Sequence, residues 1–363
     1  MLMFLGYLLL QMAVAVSFPP PTGPYHVGYL QHVFNKSTPN DPVAPPNSSI
    51  LLATIYYPTL TIPISGVNTA PYLDPTTANI WGDNWQFPEG SLETLTTWNV
   101  QDAPPLERGV SQKPTIVFSP GAGENAIMYS ALNSELGSQG YTVIALDHPG
   151  EAPYLQLPDS KHGIYGIDIT AQWNQTFAEA VYHTRVSDIL AVIQDLLPPY
   201  VSAIGAPFNT THFIAIGHSL GGAAAASALA MESRILGGVN FDGTYFESTD
   251  AKKPFLMLGQ EAHTLNAEPS WPGFAVNQSG WWRWLNVAGS GHQNFADLDD
   301  WVDLLGLRNK TAPLSVGAVW APRMNHIIKT LVQHFLASVL GETEWEDVQG
   351  AAFPEVVRVT AIA

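Results

Sequence analysis

The segment Gly217-His218-Ser219-Leu220-Gly221-Gly222 stands between an apolar run, Phe213-Ile214-Ala215-Ile216, and an alanine-rich stretch from Ala223 to Ala230. A short apolar run reads as a buried strand and an alanine run as a helix, so the hexapeptide must turn the chain from one to the other. In so tight a turn the two backbones nearly touch. Residues without side chains are therefore needed at 217 and 221, and the serine between them is held in strained geometry with its hydroxyl over the end of the sheet. A bare Gly-x-Ser-x-Gly recurs by chance. Flanked by a readable strand and helix, it predicts a serine nucleophile rather than an incidental glycine turn.

Such a serine requires a base and a carboxylate to orient it, and on this supersecondary unit they follow in the order serine, acid, histidine. Leu236 to Phe241 reads as the next buried strand and ends at Asp242-Gly243, a dipeptide that alone would read only as a turn. Leu285-Asn286-Val287 reads as a short strand, and the glycine-rich loop after it carries His292. A lone loop histidine is usually just solvated. The chain order, with a strand before each residue, selects Asp242 and His292. Asp147 and His148 also stand at a strand end, but both precede the serine and are disfavoured. His218 reads as a neighbour that shapes the turn.

Several separate stretches carry a resemblance to a known family. They are Gly23-Pro24-Tyr25-His26-Val27-Gly28, Tyr56-Tyr57-Pro58, Val117-Phe118-Ser119-Pro120-Gly121-Ala122-Gly123, the turn at Ser219, the strand end at Asp242, and His292-Gln293-Asn294-Phe295-Ala296-Asp297. The last is the most specific. Together, over roughly residues 23 to 340, they resemble the plasma-type platelet-activating-factor acetylhydrolases, secreted serine esterases also called 1-alkyl-2-acetylglycerophosphocholine esterases. Carried over motif by motif, the resemblance implies Ser219 as nucleophile, Asp242 as acid and His292 as base. The oxyanion formed on attack needs two backbone N–H donors. One follows the nucleophile, at Leu220, and the resemblance places the other at Ala122. Where the family pattern has His-Gly, this chain has Pro120-Gly121. Proline has no N–H, but it precedes the predicted donor and is expected only to stiffen the loop.

The remaining strand and helix signals alternate. Ser49 to Tyr57, Pro114 to Phe118, Tyr141 to Leu146 and Pro254 to Leu258 read as strands. Met128 to Gly137, Phe177 to Leu197 (closed by Pro198-Pro199) and Met324 to Leu340 read as helices. The expected fold class is α/β: an α/β-hydrolase layout with a mainly parallel central sheet, helices on both faces and inserted covering segments. Thr61 to Arg108 holds Trp81, Trp85 and Phe87, and Ala267 to Trp284 holds Trp271, Trp281, Trp282 and Trp284. Both segments are candidate covers, with Trp81, Trp85, Trp281 and Trp282 as candidate substrate-rim residues; packing of these rings against the sheet edge is an equally open alternative. Glu151 to Asp168 is a further candidate flap.

Leu2 to Val16 is nearly all apolar and precedes Ser17 and a proline run, which predicts a signal peptide over residues 1–17 and a single domain over 18–363. Glycosylation sequons begin at Asn35, Asn47, Asn174, Asn209, Asn277 and Asn309, and with the leader they predict a secreted protein. The chain has no cysteine, which removes disulfides, thiol nucleophiles and thiolate metal sites. Fourteen basic against thirty-one acidic residues give a formal charge of −17, which argues against nucleic-acid partners and against docking on anionic lipid. A neutral or zwitterionic lipid or ester substrate fits better, with at most weak interfacial lipid contact. No cofactor or metal is expected. The carboxylates Asp297, Asp299, Asp300 and Asp303 match no ion-binding spacing and read as the solvated face of an amphipathic helix. The resemblance implies hydrolysis of a short acyl ester at the sn-2 position of a glycerophospholipid. A broader small-ester or polyester hydrolase is the alternative, and an inactive binding protein of the same fold is disfavoured by the intact residue order.

Overall fold

A computed structural model describes residues 15–44, 50–107, 113–159, 161–308, 315–346 and 352–360. The expected leader falls almost wholly outside them, as do the sequons at Asn47 and Asn309.

Apolar runs of five to seven residues recur along the middle of the chain and become strands buried on both faces. In chain order the first strands are β1 (Val16–Ser17), β2 (His26–Asn35), β3 (Ile50–Thr59), β4 (Thr69–Pro71) and β5 (Leu95–Gln101). The central ones are β6 (Thr115–Ser119) and β7 (Val143–Asp147), after which β8 (Tyr154–Gln156) and β9 (Gly163–Tyr165) form a separate hairpin. The last are β10 (Phe213–His218), β11 (Ile235–Phe241), β12 (Phe255–Gln260), β13 (Trp282–Val287) and β14 (Val356–Arg358). All but β8 and β9 join one sheet of order β1-β5-β2-β3-β7-β6-β10-β11-β12-β13-β14, with β4 beside β5. From β7 to β13 every pairing is parallel; β3 on one side and β14 on the other are antiparallel.

The helices are α1 (Pro75–Asn84), α2 (Ser130–Ser138), α3 (Gln175–Ala191), α4 (Leu197–Ile204), α5 (Leu220–Met231), α6 (Ser270–Val276), α7 (Leu298–Leu304) and α8 (Ala321–Val339). Strand side chains alternate between two cores. Ile214, Ile216, Val239 and Phe241 face the layer that holds Leu136 of α2 and Phe335 of α8, while Phe213, Ala215 and Val117 face the layer that holds Ile189 of α3 and Leu229 of α5. Helices thus cover both faces of a mixed, mostly parallel sheet.

Three expectations are corrected. The helix through Phe177 does not stop at Pro198-Pro199: a π-turn over Val192–Leu196 starts a new segment, α4, and places both prolines in its first turn, where a missing N–H costs nothing. Residues 61–107 are not an excursion outside the sheet. They supply β4, α1 and β5, which runs between β1 and β2 in the sheet. The acidic run after His292 is not a solvated face either, because Asp297, Asp299 and Asp300 are each at most 3% exposed. Asp297 accepts from the Tyr72 hydroxyl and from Ser130 and Ala131 N–H. Arg308 binds Asp299 and Asp303, and Asn325 binds Asp300. Burial is possible because internal donors replace water.

Candidate active site

Parallel register sets the site. Gly217 pairs with Asn240 and His218 with Phe241, so Ser219 and Asp242 leave neighbouring strand ends side by side. The Ser219 N–H donates to Phe241 O at 2.7 Å, joining the two turns. Ser219 adopts φ 53°, ψ −126°, a conformation costly for a residue with a side chain. The crowding foreseen at 221 is present: a Cβ on Gly221 would lie 2.1 Å from Ser119 O.

Asp242 is also strained, at φ 55°, and is 3% exposed. Its Oδ2 accepts from His292 Nδ1 at 2.6 Å and from Gln260 Nε2 at 2.7 Å. Its Oδ1 accepts from Gln260 N at 2.7 Å and from His263 Nδ1. Burial pushes the Asp242 carboxyl up, but the hydrogen bonds and charges of His263 and His292 outweigh it and hold the group well below the usual carboxylate range. It stays ionised.

His292 opens the 3₁₀ turn His292–Phe295, with its ring 31% exposed. Burial lowers the affinity of the ring for a proton, whereas the bond to Asp242, the charge of Asp242 and that of Glu124 raise it; the net shift is upward. The residues that follow it are its scaffold. Gln293 donates to Glu124, Asn294 Oδ1 accepts from Gly291 and Gly317 N–H, and Phe295 stacks on Phe241. His218, fully buried, has Nδ1 2.7 Å from the Tyr129 hydroxyl and Nε2 3.1 Å from His292 O. Burial and then the nearby His292 lower its pKa, outweighing the upward pull of Glu124 and Asp242.

Of the loop after β6, the Gly121 N–H is already taken by the Tyr129 hydroxyl at 2.9 Å, which leaves Ala122 as the next donor along the chain. Leu220 is the first residue of α5, where an N–H has no partner within its own helix. The loop is gripped from below by Arg185, whose guanidinium donates to Ser119 Oγ, Pro120 O and Gly121 O and pairs with Glu151 at 2.6 Å. Both charges are buried.

His263, Gln260, Glu124, Tyr129 and Arg185 were not singled out from sequence. The position of Gln260 at the end of β12, level with the turn after β11, was the one available signal. The rim candidates divide. Trp81 is buried, donates to Asn125 Oδ1 and stacks on Trp85, which favours packing under the loop that follows Ala122. Trp281 and Trp282 lie at the start of β13, the opposite end of the sheet from Ser219, where Trp281 stacks on Phe335; they cannot line the entrance. Trp271 of α6 is the ring drawn to the site, 4.2 Å from His263. Just past the candidate flap of Glu151 to Asp168, Ile169 packs over Gly123. His148 is committed to Asp188 and Asp147 to Ala126 N–H. The described sequon residues Asn35, Asn174 and Asn277 are exposed and Asn209 is half-buried. Among the described residues no group of His, Asp or Glu is arranged to hold a metal ion.

Residues 116–357 match the Alpha/beta hydrolase family. The chain belongs to that family. It is 28% identical over 250 residues to a protein of Arthroderma benhamiae described as a probable 1-alkyl-2-acetylglycerophosphocholine esterase, covering 64% of this chain and 62% of that one. It is 25% identical over 244 residues to the platelet-activating factor acetylhydrolase of Canis lupus familiaris, covering 57% of this chain and 52% of that one. The match thus spans between half and two thirds of these relatives' length. The structure superposes on a ferulic acid esterase from Streptomyces cinnamoneus with TM-score 0.80 and 25% identity, covering 96% of this chain and 100% of that one. These relatives are named as esterases or an acetylhydrolase.

Removing the Arg185 charge strands Glu151 in the interior and frees the loop that carries Ala122. Arg185→Leu is expected to lower the unfolding free energy by about 3–5 kcal/mol in urea titration. Arg185→Leu combined with Glu151→Leu should recover only the part of that loss due to the stranded charge, because Pro120 O and Gly121 O still lack their donor; a single variant as stable as the parent would show that the pair does not hold the loop.

Proposed function

We propose that this chain is a serine carboxylesterase acting on small esters, with Ser219 as nucleophile, His292 as general base and Asp242 as the carboxylate that orients it. The supporting observation is the 2.6 Å bond from His292 Nδ1 to Asp242 Oδ2, made at the strand end beside the strained turn at Ser219. With the proton on Nδ1, Nε2 is the basic nitrogen. It takes the proton of Ser219 Oγ as that oxygen attacks the ester carbonyl. Charge moves onto the carbonyl oxygen, for which the N–H groups of Leu220 and Ala122 are the proposed donors. The His292 imidazolium then protonates the leaving alcohol, and a water deprotonated by the same ring releases the acid from Ser219.

The extent of each likeness bears on the substrate. The ferulic acid esterase superposes on 96% of this chain, covering segments included, while the sequence matches to the two phospholipid-esterase relatives cover 57–64% of it. That favours a broad small-ester hydrolase. The second reading, a short acyl ester at the sn-2 position of a glycerophospholipid, draws support from those relatives and from the motif His292 to Asp297. Secretion and glycosylation at Asn35, Asn174 and Asn277 belong to the proposal, and rest on the sequons and their exposure.

Two outcomes follow. The base must be neutral to act, and Asp242 holds the His292 pKa above its ordinary value, so activity should rise with pH through a midpoint above about 6.5. Full activity maintained at about pH 5 would exclude histidine as the base. In a substrate panel, nitrophenyl acetate and methyl ferulate should give kcat/KM at least about tenfold above that of acetyl or palmitoyl sn-2 phospholipids. A preference for the acetyl phospholipid over both simple esters would establish the second reading instead.

A further inference from the structure

Asp242 has two histidines. While His292 Nδ1 binds Oδ2, His263 Nδ1 binds Oδ1, from a ring 6% exposed on the turn that follows β12. Its other nitrogen, Nε2, is buried with no hydrogen-bond partner, and the carboxylate facing it, Glu268, is 3.9 Å away. Trp271 lies against the ring, and Asn286 Nδ2 donates to His263 O at 2.6 Å. A histidine retained only for packing here would leave a buried polar atom unsatisfied, a cost that a phenylalanine of similar shape would avoid. The bond that offsets this cost is the one to Asp242.

We infer that His263 is a positioning residue for the proposed reaction: its Nδ1–H fixes the plane of the Asp242 carboxylate and takes up part of the charge that would otherwise act on His292 alone. The inference rests on Asp242 and His292 being the acid and base. The groups that face the His263 ring are Asp242 from the end of β11, Gln260 from β12, Glu268 from the turn before α6, Trp271 from α6, and, across Asp242, His292 from the loop after β13. With its charge divided between two imidazoles, Asp242 stabilises the His292 imidazolium less than an unshared carboxylate would. Removing the His263 donor therefore raises the proton affinity of His292, and the acid limb of the pH profile moves up. The same removal lets the carboxylate rotate, so kcat falls.

The test is kcat/KM against pH on nitrophenyl acetate for the parent, His263→Phe, His263→Asn and Ser219→Ala. His263→Phe keeps the contact with Trp271 and loses the donor. It should lose about tenfold or more, mostly in kcat, and its acid limb should move up by about half a unit or more. His263→Asn, whose amide N–H falls near the position of Nδ1, should bring the limb back toward the parent. Parent-like kinetics in His263→Phe, or a lower rate with an unmoved limb, would overturn the inference. Should His263→Phe not fold, nuclear magnetic resonance of Ser219→Ala protein labelled at histidine nitrogen decides: two low-field imidazole N–H signals are expected besides that of His148 on Asp188, and one alone overturns it. Activity surviving in Ser219→Ala would instead refute the triad assignment, whatever His263 does.

Discussion

A carboxylate taken out of water at the end of a strand is tolerated only if donors surround it, and at Asp242 four hydrogen bonds meet that demand. Each donor comes from a different part of the chain, or from a different atom of the next strand's end. Gln260 contributes its backbone and side chain from β12, His263 the turn beyond, and His292 the loop after β13. Three successive parallel strands must therefore stop in register for the carboxylate to be satisfied. The strained backbone of Asp242 is sustained by the same contacts, with Asn240 clasping Gly243 through both its amide atoms.

On the other side of Ser219 the demand is the reverse. A loop that must present N–H groups outward has to turn its carbonyls inward, where they need donors of their own. Arg185 supplies them, and Glu151 balances its charge, so the backbone just beyond β6, at Pro120 and Gly121, is fixed by a guanidinium rather than by a sheet ladder. Glu124, Tyr129 and His218 fill the space between this loop and His292, linking the two sides. The geometry at Ser219 is thus the meeting of two separately held halves.

Local signals made Ser219, Asp242 and His292 legible in the sequence: a strand-turn-helix, two strand ends and a chain order. The central strands were legible for the same reason, as apolar runs with turn residues at their ends. The contacts that hold the site were not. Arg185 sits within a helix whose apolar stripe says nothing of a buried cation, and His263 meets Asp242 only because β12 docks beside β11. Trp281 and Trp282 were misplaced because β13 begins at Trp282, three residues before the Leu285 start that its pattern suggested, so residues at the foot of a strand passed for a cover. The carboxylates from Asp297 to Asp303 read as solvated because sequence carries charge but not the Tyr72, Arg308 and Asn325 partners that long-range packing brings to them.

The central claim is that Ser219 is activated by the pair Asp242 and His292. A fluorophosphonate, which phosphonylates serines activated as nucleophiles, tests it directly through intact-protein mass and peptide mapping. The account predicts one adduct per chain, on the peptide that contains Ser219, absent from Ser219→Ala and strongly slowed in Asp242→Asn. Labelling at another residue, or ester turnover that continues in protein fully labelled at Ser219, would contradict it.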